Sequence, residues 1–159
     1  MTVPTSQKNS KFPTPPRWLI PWISRTHVWI YQRSNGRFGA TGGGMKQLLV
    51  TAVGRRSGVA HTVCLPYWLD AGGRRIVVAS FSGAPKHPAW YHNLADRSVN
   101  PTVSVQDRGE KFDAVAEVLD GDDYTSVWAA LTADRPNYAG YQAKTARRIP
   151  LVRLVPTGS

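Results

Sequence analysis

The sequence has only one cysteine, Cys64, among its 159 residues. One thiol cannot form a disulfide within the chain, so a disulfide-stapled secreted domain is excluded and a reducing, cytoplasmic compartment is expected. Cys64 lies among the apolar residues of a predicted strand. That setting is typical of an inert buried thiol.

Long apolar stretches are also lacking. No run approaches the roughly 18–20 apolar residues that a membrane-spanning helix needs, and the apolar core of a signal peptide is missing. With a hydrophobic fraction of 42%, the chain can still bury a sizeable core. We therefore expect one cytoplasmic domain.

Acidic residues are missing from the first part of the chain, where Asp70 is the first of them. Nine lysines and arginines precede Asp70, whereas eleven cations face ten anions from Asp70 onward. The net charge of +10 therefore belongs to the N-terminal part. Such an asymmetry favours an anionic partner, which could be nucleic acid, an anionic membrane or an acidic cofactor.

The N-terminal part divides into two segments. Residues 1–16 are rich in proline, serine, threonine and lysine, which predicts a disordered basic tail. Residues 17–33 carry tryptophans and aliphatic residues at helical spacing, which predicts an amphipathic helix. Its apolar stripe, with Trp29 and Ile30 near the end, would either pack on the core or lie on a membrane surface beside arginines. Both interpretations stay open.

After residue 44 the pattern changes to that of a sheet. The predicted strands are 47–53, 60–70, 74–80, 101–108, 110–119 and 149–155. The predicted later helices are 86–95, 121–134 and 137–147. We predict an α+β fold in which about six antiparallel strands close into a small barrel with peripheral helices, because closure removes exposed sheet edges. The predicted domain spans 17–156.

Two glycine-rich segments are candidates for binding an anion. The loop 34–44 lacks the Lys-Ser/Thr ending of a P-loop, so it does not predict a nucleotide site of that kind. The turn Gly-Arg-Arg-Ser-Gly at 54–58 presents two guanidinium groups and a hairpin backbone. It is either a phosphate-binding turn or an ordinary solvated turn.

The stretch FSGAPKHPAWYHNL, residues 81–94, combines two histidines with a lysine. On a helix His87 and His92 would point about 140° apart, so they do not match a helical zinc pair and no metal site is predicted. A helix N-terminus preceded by Lys86 suits an anion better. Trp90 and Asn93 share one helical face, where an indole N–H and an amide could reach one ligand.

Tyr138 and Tyr141 lie three positions apart and meet on one face of a predicted helix. Phenol groups can donate a proton or stabilise a developing oxyanion. The alternative is simple aromatic packing.

Four segments together resemble the deazaflavin-dependent nitroreductase family of mycobacteria and related actinobacteria. They are LLVTAVGRRSG, HTVCLPYWL, VASFSGAPKHPAWYHNL and YAGYQAKTARRIPLVRL. The resemblance covers about 17–156 and implies a split β-barrel, similar to those of flavin reductases and pyridoxamine phosphate oxidases. It implies coenzyme F420 as cofactor and hydride transfer to a quinone, a nitroaromatic compound or a conjugated enone. It also implies contact with a membrane surface through the N-terminal helix.

The resemblance further implies roles for individual residues. Arg55, Arg56 and Ser57 would hold the phosphate with Trp90 and Asn93. The ring would lie along Ala79, Ser80 and Phe81, in a groove lined by 61–67. The full set expected to bind the cofactor is Gly54, Arg55, Arg56, Ser57, His61, Tyr67, Ala79, Ser80, Phe81, Lys86, Trp90, Tyr91, Asn93 and Tyr138. Catalytic roles are expected for Tyr138, Tyr141 and Ser80, and the least contribution for His87 and His92.

This chain departs from the family pattern at several positions. His61 stands where an arginine is usual, Cys64 where a proline is common, and Phe81-Ser82 where Lys-Gly is frequent. Arg135 and Lys144 replace aromatic residues of some members. The last two changes argue against reduction of nitro drugs.

Two other functions compete with this prediction. One is a split-barrel protein that binds FMN or haem, and the other is a non-catalytic protein that coats a membrane surface. Nucleic acid is not expected as a partner because no DNA- or RNA-binding signature is present. The sequence leaves the oligomeric state open.

Overall fold

A barrel of six antiparallel strands forms the centre of the protein in the computed structural model, which describes residues 20–42 and 44–158. The predicted tail, 1–16, and the first residues of the predicted helix 17–33 lie outside the described residues. Side chains of the first helix are described from Arg25 onward.

The elements follow the predicted order. The helices are α1 Ile20–Arg33, α2 Ala89–Ala95, α3 Gly121–Asp134 and α4 Asn137–Ala143. The strands are β1 Thr41–Gly42, β2 Met45–Val53, β3 Ala60–Leu69, β4 Arg75–Val78, β5 Val103–Asp107, β6 Glu110–Val118 and β7 Leu151–Pro156. A 3₁₀ turn occupies Phe81–Gly83.

The strand order is β1-β2-β3-β4-β7-β6-β5, and β2 also pairs with β5. That last pairing closes six strands into a barrel and leaves the two-residue strand β1 as an addition to β2. The predicted architecture of six antiparallel strands is therefore confirmed. All pairings of the described strands are antiparallel.

Alternation along the strands builds the barrel interior. On β2, Leu48, Val50 and Ala52 are buried in the interior, whereas the intervening Leu49 faces α1. Each fully buried aliphatic side chain of this kind stabilises the fold by roughly 1.5–3 kcal/mol. A one-residue slip of β2 would exchange the two faces, so burial specifies the register.

The later helices cover one outer side of the barrel. Tyr124, Val127 and Leu131 of α3 are buried there with Tyr138 of α4. Trp128 is half-buried and stacks on Tyr124 with the ring planes 7° apart. The apolar stripe predicted for 121–134 is thus the face that α3 packs on the sheet.

Helix α1 packs by a different face from the predicted stripe. Val28 and Tyr31 are buried, and the Tyr31 hydroxyl donates to the carbonyl of Gln47 at 3.0 Å. Trp29 is 60% exposed and Ile30 is 38% exposed. Val28 and Tyr31 therefore pack on the barrel, whereas Trp29 and Ile30 of the predicted stripe stay at the surface.

The helix predicted at 86–95 begins three residues late, at Ala89. Pro88 holds an extended conformation with ψ of 149°. A proline also disfavours helical geometry at the residue before it, which here is His87. Lys86 and His87 therefore belong to a loop, and the prediction of a helix start at Lys86 was wrong.

Candidate functional site

The barrel is split along one edge of β3. Residues 60–67 of β3 pair with β2, but only Tyr67–Leu69 pair with β4. Within the described residues, the other edge of 60–66 has no strand partner. The chain leaves β4, turns at Phe81–Gly83 and returns as α2, whose Leu94 is buried in the barrel interior. A groove therefore runs between the edge of β3 and the loop leading into α2.

Two adjoining cavities lie in this groove. One, of about 420 Å³, is here termed the cationic cleft; it is lined by Gly54, Arg55, Arg56, Ser57, His61, His87, Ala89, His92 and Asn93. The other, of about 370 Å³, is here termed the apolar cleft; it is lined by Arg25, Val50, Ala52, His61, Thr62, Val63, Ala89, Trp90, Asn93 and Leu94. The clefts share His61, Ala89 and Asn93. No carboxylate lines either one within the described part of the chain.

The turn 54–58 is built by its glycines. The N–H of Gly58 donates to the carbonyl of Gly54 at 2.8 Å, and Gly58 has a φ of +67°. A Cβ on Gly54 would collide with the Ser57 hydroxyl and come within 3.0 Å of the His61 ring. Glycine at 54 thus lets Ser57 and His61 approach each other, with Ser57 Oγ and His61 Nε2 3.3 Å apart.

Arg55 and Arg56 are exposed on this turn. The ion pairs found among the described residues include neither of them. The Ser98 hydroxyl holds the pKa of nearby Asp96 below its usual range, and Arg55 makes a smaller electrostatic contribution. Both guanidinium groups keep their forked donors free for an anionic ligand.

Asn93 and Asn100 connect the turn to α2. The amide oxygen of Asn93 accepts from the backbone N–H of Arg55 at 3.1 Å. Asn100 is 3% exposed; its oxygen accepts from the Val53 N–H, and its amide group donates to the carbonyls of Val53 and Asn93. Sequence reasoning missed Asn100, because an Asn-Pro pair signals only a turn.

The two histidines expected to contribute least both line the cationic cleft. Their rings are 5.7 Å apart, and the His87 ring lies 4.9 Å from that of Tyr91. Tyr91 is half-buried against the barrel interior and lines neither cleft. His87 also accepts a hydrogen bond from Arg147, a residue that sequence reasoning did not single out.

Trp90 lines the apolar cleft and also packs on the barrel interior. Lys86 is exposed and lines neither cleft. Trp90 and Asn93, which the sequence predicts to share one ligand face, both line the apolar cleft.

The residues that are expected to contact the ring line neither cleft. Ala79 is fully buried, and the carbonyl of Ser80 accepts from Arg147 at 2.8 Å. Phe81 is 60% exposed and has a φ of +45°. Tyr67 lies inside the barrel, where its hydroxyl donates to Asp107 at 2.9 Å. Burial, followed by that carboxylate, raises the pKa of Tyr67 to about 12.

Tyr138 and Tyr141 meet edge to face, with ring centroids 5.9 Å apart. Tyr138 is buried; its hydroxyl donates to the sulfur of Met45 at 3.3 Å, and burial raises its pKa. Tyr141 is half-buried, and a Cβ on Gly83 would lie 2.6 Å from its carbonyl oxygen. The tyrosine pair therefore borders the 81–83 turn and lines neither cleft.

The described residues contain no group of three or more His, Cys, Asp or Glu side chains that could hold a metal ion. Among them there is also no helix with the length and apolar character needed to cross a bilayer.

Comparison with known proteins assigns the family. The family model of the F420H(2)-dependent quinone reductases matches residues 22–156. An F420H(2)-dependent quinone reductase of Mycobacterium tuberculosis is 34% identical over 146 residues, covering 87% of this chain and 95% of the relative.

Two solved structures resemble the protein. The F420-H2 dependent reductase FDR-A is 38% identical, with a TM-score of 0.56 over 68% of this chain and 92% of the other. A chain described as a domain-swapped dimer is 33% identical, with a TM-score of 0.60 over 89% of this chain and 99% of the other. These matches confirm the predicted split barrel and oxidoreductase function with F420 as cofactor. The chain therefore belongs to the F420H(2)-dependent quinone reductase family.

Proposed function

We propose that the protein reduces quinones with reduced F420, whose anionic tail binds in the cationic cleft while its ring system extends along the free edge of β3. The observation that carries this proposal is the junction of the two clefts. An acid-free cavity with two unpaired arginines opens directly into an apolar one. A ligand with a charged tail and a planar uncharged part matches that division.

The residues of the chain fit such a cofactor. Arg55, Arg56 and Ser57 would hold the phosphate, and His61 would contact it at the junction of the clefts. Val63 and Trp90 offer apolar surface beside that junction. The ring system would start in the apolar cleft and extend along the edge of β3 toward Ala79–Phe81, which line neither cleft.

Reduced F420, when bound, supplies a hydride, so the protein needs to bind, orient and protonate. We assign the proton-donating and hydrogen-bonding roles to Tyr138 and Tyr141. The Tyr138 hydroxyl is protonated at neutral pH, as an ordinary phenol is, and burial raises its pKa further, so it can donate a hydrogen bond to the acceptor. Ser80, at the start of the adjacent turn, would orient the acceptor.

Quinones are favoured over nitro compounds and enones as acceptors. The Lys144 ammonium lies 5.6 Å from the centre of the Tyr141 ring, and Arg135 pairs with Asp134 at 3.3 Å. Lys144, which is absent from the ion pairs of the described residues, favours the negative charge that builds up on a quinone oxygen as it accepts a hydride, whereas the charge of Arg135 is offset by Asp134. Reduction of nitroaromatic compounds is the lesser activity in this proposal.

The outer face of α1 would bring the protein to lipid-soluble quinones. This surface, here termed the α1 outer face, consists of Arg25, Trp29, Ile30 and Arg33 of α1 and of Phe38 in the loop that follows the helix. Trp29 and Phe38 are 60% and 70% exposed. Exposed aromatic rings beside arginines suit an anionic interface, where the protein would bind peripherally from the cytoplasmic side. A cavity lined partly by Arg25, Trp29 and His61 joins this face to the apolar cleft.

Titration with F420 tests the site. Binding would be followed by quenching of tryptophan fluorescence, and turnover by the loss of reduced-cofactor absorbance in the presence of a soluble benzoquinone. Arg56→Gln should weaken F420 binding by about 1.5–3 kcal/mol, the scale of a hydrogen bond to a charged group. Arg97→Gln removes the same charge from an exposed residue that lines neither cleft, and it should bind like the wild type. Lack of saturable binding at tens of micromolar F420 would contradict the proposal.

A further inference from the structure

Arg147 donates to four acceptors in the segment that forms the far side of the groove. Its Nε donates to the carbonyl of Ala84 at 2.8 Å, and its Nη2 to the carbonyl of Ser80 at 2.8 Å. Its Nη1 contacts the carbonyl of Ala79 at 3.2 Å and Nδ1 of His87 at 3.0 Å. The ion pairs of the described residues do not include Arg147. The Arg147 guanidinium group therefore binds the loop 79–87 and not a carboxylate.

The loop that it holds is strained. Phe81, Ser82 and Gly83 have successive φ angles of +45°, +53° and +80°. A left-handed conformation at a non-glycine residue costs on the order of 1–3 kcal/mol, and it persists only where its surroundings hold it. The hydrogen bonds from Arg147 bracket this turn on both sides, at Ser80 and Ala84.

The contact with His87 determines which ring nitrogen carries the proton. A guanidinium group has only donors, so Nδ1 of His87 must be the acceptor. The neutral ring then carries its proton on Nε2. Because Nδ1 is engaged and the ring lines the cationic cleft, Nε2–H is the polar group left for a ligand.

We propose that His87 binds an anionic oxygen in the cationic cleft through its Nε2–H, and that Arg147 is the positioning residue that holds this tautomer. The ligand class is a phosphate or a carboxylate, such as the tail of the proposed cofactor carries. The inference deepens the proposed function and rests on the tail lying in this cleft. His87 is therefore a neutral donor among cations. It donates its Nε2–H to the anion without taking up the second proton that would charge the ring.

The charged and titratable groups around His87 agree with a neutral ring. Arg55, Arg56 and His61 line the same cleft from the turn and β3, and His92 lines it from α2. Burial is the largest cause that lowers the pKa of His87, and electrostatic interactions with Arg147 and His92 lower it further. Tyr91 packs on the ring, and Lys86 precedes it in the loop. Arg148, next to Arg147 in the chain, donates a hydrogen bond to the Asp120 carboxylate.

The tautomer can be observed directly. Protein labelled with ¹⁵N-histidine would be studied by long-range ¹H–¹⁵N correlation at neutral pH, with His87→Gln used to assign the ring. The wild type should show the Nε2–H pattern, and Arg147→Gln should show a mixture of tautomers. Arg148→Gln, the matched loss of one cation at the next residue, should keep the wild-type pattern. An Nδ1–H ring in the wild type, or no change in Arg147→Gln, would overturn the proposal.

Binding of inorganic phosphate and of F420 tests the functional half. His87→Gln keeps an N–H near the position of Nε2 and should bind within about twofold of the wild type. His87→Asn keeps only an acceptor for Arg147 and should bind about three- to tenfold more weakly, the loss of one hydrogen bond. Arg147→Gln should weaken binding similarly. Equal affinities of His87→Asn and His87→Gln would refute the role of Nε2–H.

Two measures keep the outcomes separable. Circular dichroism and thermal unfolding would establish that Arg147→Gln is folded; if it is not, the two His87 variants decide the question without it. If the wild type binds phosphate but not F420, the proposed function fails while the tautomer and the phosphate affinities still test the role of His87.

Discussion

The amide oxygen of Asn93 accepts a hydrogen bond from the backbone N–H of Arg55, 3.1 Å away and 38 positions earlier in the chain. This bond joins the arginine turn to α2 across the split in the barrel. The relative position of the two halves of the cationic cleft therefore depends on Asn93, together with Asn100, which joins the carbonyls of Val53 and Asn93. Removal of the Asn93 side chain should affect ligand binding more than the rest of the fold.

Asn93→Ala tests that connection. The loss of one partly exposed hydrogen bond should lower the free energy of unfolding by about 0.5–1.5 kcal/mol and also weaken F420 binding. Asn93→Asp is the matched control, because it keeps the acceptor but adds a negative charge to the cleft. It should keep stability while losing affinity, as measured by urea unfolding and fluorescence titration. Tight F420 binding by Asn93→Asp would place the anionic tail elsewhere.

Asn100→Ala should be more destabilising than Asn93→Ala. It leaves the N–H and carbonyl of Val53 without the partners they have in the fold, and Asn100 itself is buried. A part-buried polar group left without a partner costs about 1–3 kcal/mol, so with two such groups the free energy of unfolding should fall by about 2 kcal/mol or more. Thr102→Ala, an exposed neighbour, serves as control. A loss below about 0.5 kcal/mol would mean that water replaces the side chain freely.

Gly54→Ala should damage the cofactor site because the added Cβ would collide with Ser57 and crowd His61. We expect F420 affinity to fall about tenfold or more, since both displaced side chains line the cationic cleft. Gly140→Ala is a contrasting variant: it lies in α4 with open space around its Cβ position. There alanine should raise the free energy of unfolding by about 0.5–1 kcal/mol, as measured by urea unfolding. Unchanged F420 affinity in Gly54→Ala would show that the turn relaxes without consequence.

The stability of the protein should depend on pH through His87, whose pKa is lowered by burial, then by Arg147 and His92. An unfolded histidine titrates near about 6.5. Below that pH the unfolded chain binds more protons than the folded one, so the free energy of unfolding decreases as the pH falls. The decrease ends once the pH is below the folded pKa.

Urea unfolding at pH values between about 8 and about 5 checks this dependence. His87→Gln carries no titrating group at this position. Below about pH 6.5 its free energy of unfolding should therefore depend less steeply on pH than that of the wild type. Slopes that are identical in the wild type and in His87→Gln would contradict the prediction. The comparison removes the contributions of the other histidines, since both proteins contain them.

The α1 outer face should bind anionic vesicles. Vesicles that contain phosphatidylglycerol should sediment with the wild type at low salt and release it as the salt concentration rises, because surface charges are screened. Trp29→Ala combined with Phe38→Ala should reduce the bound fraction. Leu69→Ala removes an exposed apolar side chain from β3 instead and should not. Equal binding to neutral and anionic vesicles would argue against the role of Arg25 and Arg33.

Much of the fold could be predicted from local pattern. The apolar alternation of β2 and the apolar stripe of α3 predicted a strand and a helix at the positions where the structure has them. Such periodicity is visible in the sequence because it reflects which face of the element is buried. The end of the strand near Val53 and the turn 54–58 also lie close to where glycine and arginine predicted them. The start of α2 was less accurate, since Pro88 acts on the residue before it and delays the helix.

What the sequence by itself determined is the set of strands and helices, the arginine turn and the family to which the chain belongs. The tertiary structure decided which of these elements meet. Because β4 pairs only with Tyr67–Leu69, residues 60–66 of β3 have a free edge within the described part of the chain, and the chain returns across it to place His87 and His92 opposite Arg55 and Arg56. Arg147 reaches the same loop from 60 to 67 positions away in the chain. Such contacts depend on strand pairing over long sequence separations, which leaves no periodic trace in the residues themselves.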